Sequence, residues 1–184
     1  MAKRYPQLEP AHEAFIRAQR VYFVATATAD SRINLSPKGL DSLRILSPTR
    51  LLWLNLTGSG NESAAHVRLN PRMTLMFCAF DEPPLILRLY GRAQAIHPRD
   101  TGWATLHAQF PNHPGARQIF DFAIDEVQTS CGFGVPLMTG AADRPTLNQW
   151  AEKKGSDGIA RYWQDKNQFT IDQLPTGILA DPLD

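Results

Sequence analysis

The chain opens on a helical pattern and then passes to an extended one. Over Glu9–Arg20, Ala11, Ala14, Phe15 and Ala18 fall on one face, which predicts an amphipathic helix. Val21–Thr28 (VYFVATAT) is β-branched and aromatic and predicts a strand, turned by Ala29-Asp30-Ser31 into a second extended stretch at Arg32–Ser36. Pro37-Lys38-Gly39 interrupts that stretch. Proline cannot donate to a ladder and glycine weakens one, so a bulge or a sheet edge is expected. Extended structure resumes at Leu43–Leu46, turns at Ser47-Pro48-Thr49 and continues in the apolar run Leu51–Leu56. A short helical pattern follows, stopped by Asn70-Pro71. Met73–Phe80 and Leu85–His97 then predict two long strands joined at Asp81-Glu82-Pro83-Pro84, with a bend at Gly91 of the kind a small barrel needs.

Five or six strands linked by tight turns, with one helix inserted and no βαβ alternation, predict a mainly β protein built on an antiparallel barrel. From Pro98 onward the pattern is helical and irregular. Helices are expected around Trp103–Gln109, Pro145–Lys154 and Asp157–Asp165, the last two separated by Gly155, and a strand is expected at Ala123–Thr129. Phe169, Ile171 and Leu174 predict that Gln168–Gly177 docks on the body of the protein. No repeat or linker divides the chain, so residues 1–184 are expected to form one domain, with a barrel core at 21–98 and a helical and irregular part at 99–184.

Composition narrows the function classes. A net charge of +1 with scattered lysines and arginines gives no basic field for nucleic acid and no polybasic membrane patch. Met1–Arg20 has no apolar core of signal-peptide type, and no apolar run has the length of a bilayer span. Cys78 and Cys131 make no disulfide framework, so a reducing cytoplasm is the expected location.

The candidate chemistry begins at Thr57-Gly58-Ser59-Gly60-Asn61-Glu62-Ser63. A buried strand runs into a glycine turn and a helix start, an arrangement whose backbone N–H groups suit a phosphate or another anion. Ser59 and Glu62 have the spacing of a capping box, so the alternative is a loop that only caps its helix. No Lys-Ser/Thr follows Gly60, which excludes a nucleoside-triphosphate P-loop. The five histidines show no metal-ligand spacing, and no Gly-x-Ser-x-Gly elbow supports a serine hydrolase. Cys78 lies in an apolar strand and is expected in the core; Cys131 lies in a loop with no local histidine. Ser36-Pro37-Lys38-Gly39 presents a hydroxyl and a lysine at a strand break, and Arg88 interrupts an apolar strand. Lys38 reads either as an edge-strand gatekeeper or as a ligand contact, and Arg88 either as a buried partner of a carboxylate or as a second ligand contact.

In order along the chain, FVATATADSRINLSPKG, LLWLNLTGSGNESAAHVRLNPRMTLMF and ILRLYGRAQAI resemble the pyridoxamine 5'-phosphate oxidase-like family of FMN-binding split barrels. The SPKG and GSGNES segments, with TSCGFGVPLM and NQFTIDQLP, resemble an uncharacterised branch of that family. The resemblance implies a six-stranded antiparallel split β-barrel that dimerises, with FMN in clefts at the subunit interface. It places Ser36, Pro37, Lys38 and Gly39 against the flavin ring and ribityl chain. Thr57, Ser59, Gly60, Asn61, Glu62 and Ser63 fall at the phosphate, with Arg88 and Lys38 as compensating cations.

The chain departs from the oxidase pattern. Glu62 and Ser63 stand where the oxidase has Arg and Lys, Asp41 falls near a further basic position, and Gln168–Asp184 lacks the C-terminal tryptophan and arginine of the substrate site. Oxidation of pyridoxine phosphate is therefore not expected. The readings left open are an FMN-dependent oxidoreductase acting on an unknown small molecule, a flavin carrier or sensor without turnover, and a split barrel that has lost flavin or binds haem or deazaflavin.

Overall fold

The computed structural model describes residues 2–140 and 142–179. Helix α1 (Pro10–Ala18) begins at a capping box in which Glu9 and His12 bond each other's backbone. Strands β2 (Tyr22–Thr26), β3 (Asn34–Lys38), β4 (Leu43–Ser47) and β5 (Arg50–Leu56) lead to helix α2 (Glu62–Leu69). Next come β6 (Arg72–Cys78), β7 (Ile86–Ile96), helix α3 (Trp103–His107), β8 (Ala116–Ser130) and helix α4 (Thr146–Lys166), with β1 (Lys3–Tyr5) ahead of them all.

The strands form one antiparallel sheet in the order β3-β2-β6-β7-β8-β5-β4, with β1 added on β8. The path starts at β3 and ends at β4, and among the described residues no ladder joins the two, so the barrel is split there. This is the antiparallel split barrel expected from the sequence, with eight strands rather than six. The two added strands are β1 and a much longer β8. Ala116–Ser130 pairs with both β7 and β5, so the sheet is not confined to residues 21–98. The apolar part of this strand that precedes Ala123 follows the turn-rich segment Pro111–Gly115, which hides its start in the sequence.

The interior is filled from alternate positions of the strands. Val24, Trp53, Leu75, Phe77, Leu87, Leu89, Phe120 and Phe122 are all buried in one cluster. A second cluster, Leu52, Leu54, Phe110 and Ile119, lies under Trp103 and Leu106 of the α3 region. Gly91 sits at the register shift in the β7–β8 ladder, where a Cβ would collide with the Ala123 carbonyl. The bend predicted there is a bulge that only glycine permits. Pro37 is tolerated because β3 is an edge strand, paired only with β2.

The docking of the C-terminal segment has different anchors from those expected. Phe169 and Ile171 are exposed. Asn167, Thr170, Thr176 and Ile178 are the buried residues instead, and Thr176 Oγ1 donates to the Asn167 carbonyl at 2.6 Å.

Candidate functional site

Registry decides which side of the sheet each candidate faces. Lys38 lies opposite Tyr22, which lies opposite Phe77, and that row points into the barrel. Pro37, Phe23, Met76 and Arg88 form the adjacent row and point outward. Lys38 and Arg88 therefore stand on opposite faces of the sheet and do not converge on one ligand. Arg88 is half-buried on the outer face, where Nη1 donates to Ser130 Oγ at 3.3 Å.

Lys38 is held by a tight turn. Leu40 and Asp41 have φ of 61° and 53°, left-handed values that side chains other than glycine rarely adopt. Ser42 Oγ donates to the Gly39 carbonyl at 2.6 Å and lies 2.9 Å from Tyr22 Oη, which pins the turn to β2. Gly39 packs so closely on the Arg20 carbonyl that a Cβ would stand 2.9 Å from it. The turn directs Lys38 Nζ over the Trp53 ring, 5.2 Å from its centroid. Among the described residues Lys38 Nζ makes no hydrogen bond. Burial pushes its pKa down to about 8; the Arg117 charge adds to the fall and Glu62 opposes it. Trp53 Nε1 is buried and likewise makes no hydrogen bond among the described residues. Ser36 shares the inward face with Lys38.

The Thr57–Ser63 loop is organised by a residue that sequence reasoning missed. Arg117 is 2% exposed and donates to the carbonyls of Gly58 at 3.4 Å and Gly60 at 2.9 Å, to Asn167 Oδ1 at 2.8 Å and to Gln118 Oε1 at 3.0 Å. Asn167 Nδ2 adds bonds to the carbonyls of Gly58 and Ser59. Gln118 Nε2 donates to Asn61 Oδ1 at 3.0 Å. The loop thus turns its carbonyls toward a buried guanidinium. Burial lowers the Arg117 pKa to about 10, against the opposing fields of Glu62 and Tyr162.

Two expectations for the loop are corrected. Ser59 does not cap the helix: the N-cap is Asn61, with no side-chain cap bond, and Ser59 is exposed. Thr57 is buried and fully engaged. Its N–H and hydroxyl both donate to the Gly115 carbonyl, and its oxygen accepts from Trp163 Nε1 at 2.9 Å. Ser63 is engaged too, within 3.2 Å of Thr26 Oγ1 and 3.1 Å of Asn34 Nδ2. The Glu62 carboxylate folds back over Gly60, close enough that a Cβ there would clash with it, and Oε1 accepts from the Ile171 N–H at 3.3 Å. What remains for an anion is the first turn of α2, where the amides of Glu62 and Ser63 precede the first helical bond, made by Ala64 N–H to the Asn61 carbonyl.

Arg117 carried one signal in the sequence, a lone arginine in an apolar strand, and Arg88 carries the same signal. Only the three-dimensional registry separates the buried organiser from the outward-facing residue. Asn167 and Trp163 reach the loop from 106 or more positions away, beyond any local pattern.

Residues 8–131 match the family described as pyridoxamine 5'-phosphate oxidase. The chain is also 37% identical over 175 residues to the pyridoxamine 5'-phosphate oxidase family protein ustO of Aspergillus flavus, spanning 85% of this chain and 70% of that protein. The chain belongs to the pyridoxamine 5'-phosphate oxidase family. Among solved structures, a putative pyridoxamine 5'-phosphate oxidase from Lactobacillus delbrueckii shares the fold at 21% identity with a TM-score of 0.53, over 67% of this chain and 94% of that one. HupZ from Group A Streptococcus shares it at 16% identity with a TM-score of 0.51, over 65% and 91% of the two chains.

The residues present fit a flavin nucleotide at the ring more fully than at the phosphate. The Lys38 ammonium, which makes no hydrogen bond among the described residues, and the Ser36 hydroxyl supply donors on the inward face of an open edge strand. The first-turn amides of α2 suit a phosphate, but the Glu62 carboxylate beside them reduces the positive field there. No group of three or more His, Cys, Asp or Glu among the described residues could hold a metal ion. No helix among them is long and apolar enough to cross a membrane.

Proposed function

We propose that this protein binds FMN and acts as an FMN-dependent oxidoreductase on a small molecule other than pyridoxine phosphate. The observation that carries this reading is Lys38 Nζ, a largely buried cation with no hydrogen-bond partner among the described residues, set at the split of the barrel. Family membership supports the cofactor. The flavin, when bound, supplies the electron transfer, and the protein supplies position and electrostatics. Lys38 and Ser36 would hold the ring side by donating to its acceptor atoms. The Glu62 and Ser63 amides would receive the phosphate at the start of α2. The strained Gly39–Ser42 turn fixes the Lys38 stem, and the Trp53 ring beneath it keeps the ammonium in one place.

The reading includes a homodimer. Ile33 and Leu35, on and beside the edge strand β3, are 77% and 64% exposed, and covering them with a second copy also protects the open edge.

The test is FMN titration of wild type and Lys38→Ala, followed by quenching of flavin fluorescence. Wild type is expected to bind, and the variant to bind about tenfold to a hundredfold more weakly, the worth of a charge-assisted contact of about 1.5–3 kcal/mol. Equal affinity in two folded proteins would remove Lys38 from the site. Reduction of the bound flavin by NADH or NADPH, and its reoxidation by candidate acceptors, then separates an oxidoreductase from a carrier.

A further inference from the structure

Between the end of α1 and the Gly39–Ser42 turn lies a cavity of about 390 Å³. Ile16 of α1, Tyr22 of β2 and Phe77 of β6, all buried, give it an apolar floor. Its rim carries both signs of charge. Arg20 and Asp143 meet there at 3.7 Å, each more than half exposed. Arg17, paired with Glu13 along its own helix, adds a second cation at the α1 end. Asp41 and Arg44 also line the cavity, but they are closed on each other. Arg44 Nη1 and Nη2 donate to the two Asp41 carboxylate oxygens, and Nε donates to the Gln109 carbonyl. Ser42 Oγ gives its proton to the Gly39 carbonyl at 2.6 Å, so the Tyr22 hydroxyl 2.9 Å away is the donor of that pair. Tyr22 therefore offers the cavity an acceptor only, and burial raises its pKa, which keeps it a neutral phenol.

We propose that this cavity binds an apolar α-amino acid as its zwitterion. The side chain rests on the Ile16, Tyr22 and Phe77 floor, the carboxylate meets Arg20, and the ammonium meets Asp143 and Tyr22 Oη. A simple anion would gain Arg20 but face Asp143, and a simple cation would gain Asp143 but face Arg20 and Arg17. An uncharged apolar ligand would strip water from the rim and replace none of its hydrogen bonds. A zwitterion satisfies both signs at once. The Arg20–Asp143 contact that it replaces is loose and solvated, so little is lost in exchanging it for two charge-assisted contacts. The volume lies near the lower end of small-molecule sites, which favours a free amino acid over a peptide. Neither Lys38 nor the Thr57–Ser63 loop lines this cavity, so the site does not depend on the proposed flavin contacts.

The test is calorimetric titration of the full chain with phenylalanine, leucine, glycine, N-acetylphenylalanine and phenylalaninamide. Phenylalanine and leucine are expected to bind, and glycine, which has no side chain for the floor, is not. Each capped analogue lacks one of the two charges and should bind about tenfold more weakly than phenylalanine. Arg20→Gln should erase the preference for phenylalanine over its amide, and Asp143→Asn the preference over the N-acetyl form. Both positions are exposed, and circular dichroism checks that the variants fold. Failure of both phenylalanine and leucine to bind would overturn the proposal. So would glycine or the capped analogues binding as tightly as phenylalanine, or unchanged preferences in the folded variants.

Discussion

Arg117 Nη2 donates to the Gly60 carbonyl across 2.9 Å, so the glycine loop of this chain is shaped by a buried cation behind it. The same guanidinium holds Gly58, Asn167 and Gln118. Replacing it takes the donor from the Gly60 carbonyl and from Asn167 Oδ1, at about 1–3 kcal/mol each before relaxation, while the Gly58 carbonyl keeps Asn167 Nδ2 and Gln118 Oε1 keeps Asn55 Nδ2. Arg117→Met is expected to destabilise the protein by about 3 kcal/mol, seen as a lower urea midpoint at an unchanged m-value. A midpoint equal to that of wild type would contradict this role.

Much of the barrel was legible because strand chemistry is local. The β-branched and aromatic runs, the Asp81–Pro84 turn, the bend at Gly91 and the break at Gly155 each announce themselves within a few residues. The site was less legible because its decisive contacts are long-range. The spacing of Ser59 and Glu62 fits a capping box, yet Glu62 instead folds over Gly60 and accepts from Ile171, 109 positions away. Residue type marked Lys38 and Arg88 equally, and only strand parity put one inside the barrel and the other outside.

His97 makes the fold sensitive to acid. It is 6% exposed and its Nδ1 makes no hydrogen bond among the described residues. Burial, with Arg99 beside it, lowers its pKa to about 4. The unfolded chain takes up this proton near pH 6.5 and the folded one does not, so stability falls as pH drops from about 6.5 toward 4. His97→Gln should flatten the melting temperature over that window relative to wild type. An undiminished slope in the variant would assign the acid loss elsewhere.

Lys38 has the complementary signature in alkali. Its folded pKa of about 8 lies below the ordinary lysine value, so the buried ammonium lowers stability at neutral pH. Between about pH 8 and 10.5 the folded state has released the proton and the unfolded state has kept it, so this penalty is relieved as pH rises. Lys38→Met is expected to be more stable than wild type at pH 7, with the difference shrinking above pH 8. A difference that stays constant with pH would show that Lys38 is not desolvated.

The exposed ridge on β3 is the contact of the proposed dimer. Leu35→Lys is expected to shift the protein from dimer to monomer in sedimentation velocity at micromolar concentration, with the far-ultraviolet spectrum unchanged. A wild-type protein that sediments only as monomer would contradict the dimer, and with it any flavin site completed by a second copy.

The most direct measurement is the visible spectrum of the purified protein after equilibration with FMN and desalting. Retained flavin absorbance near one FMN per chain is expected, with riboflavin retained less because it lacks the phosphate that the start of α2 is proposed to receive. Folded protein that emerges colourless from both incubations would contradict it.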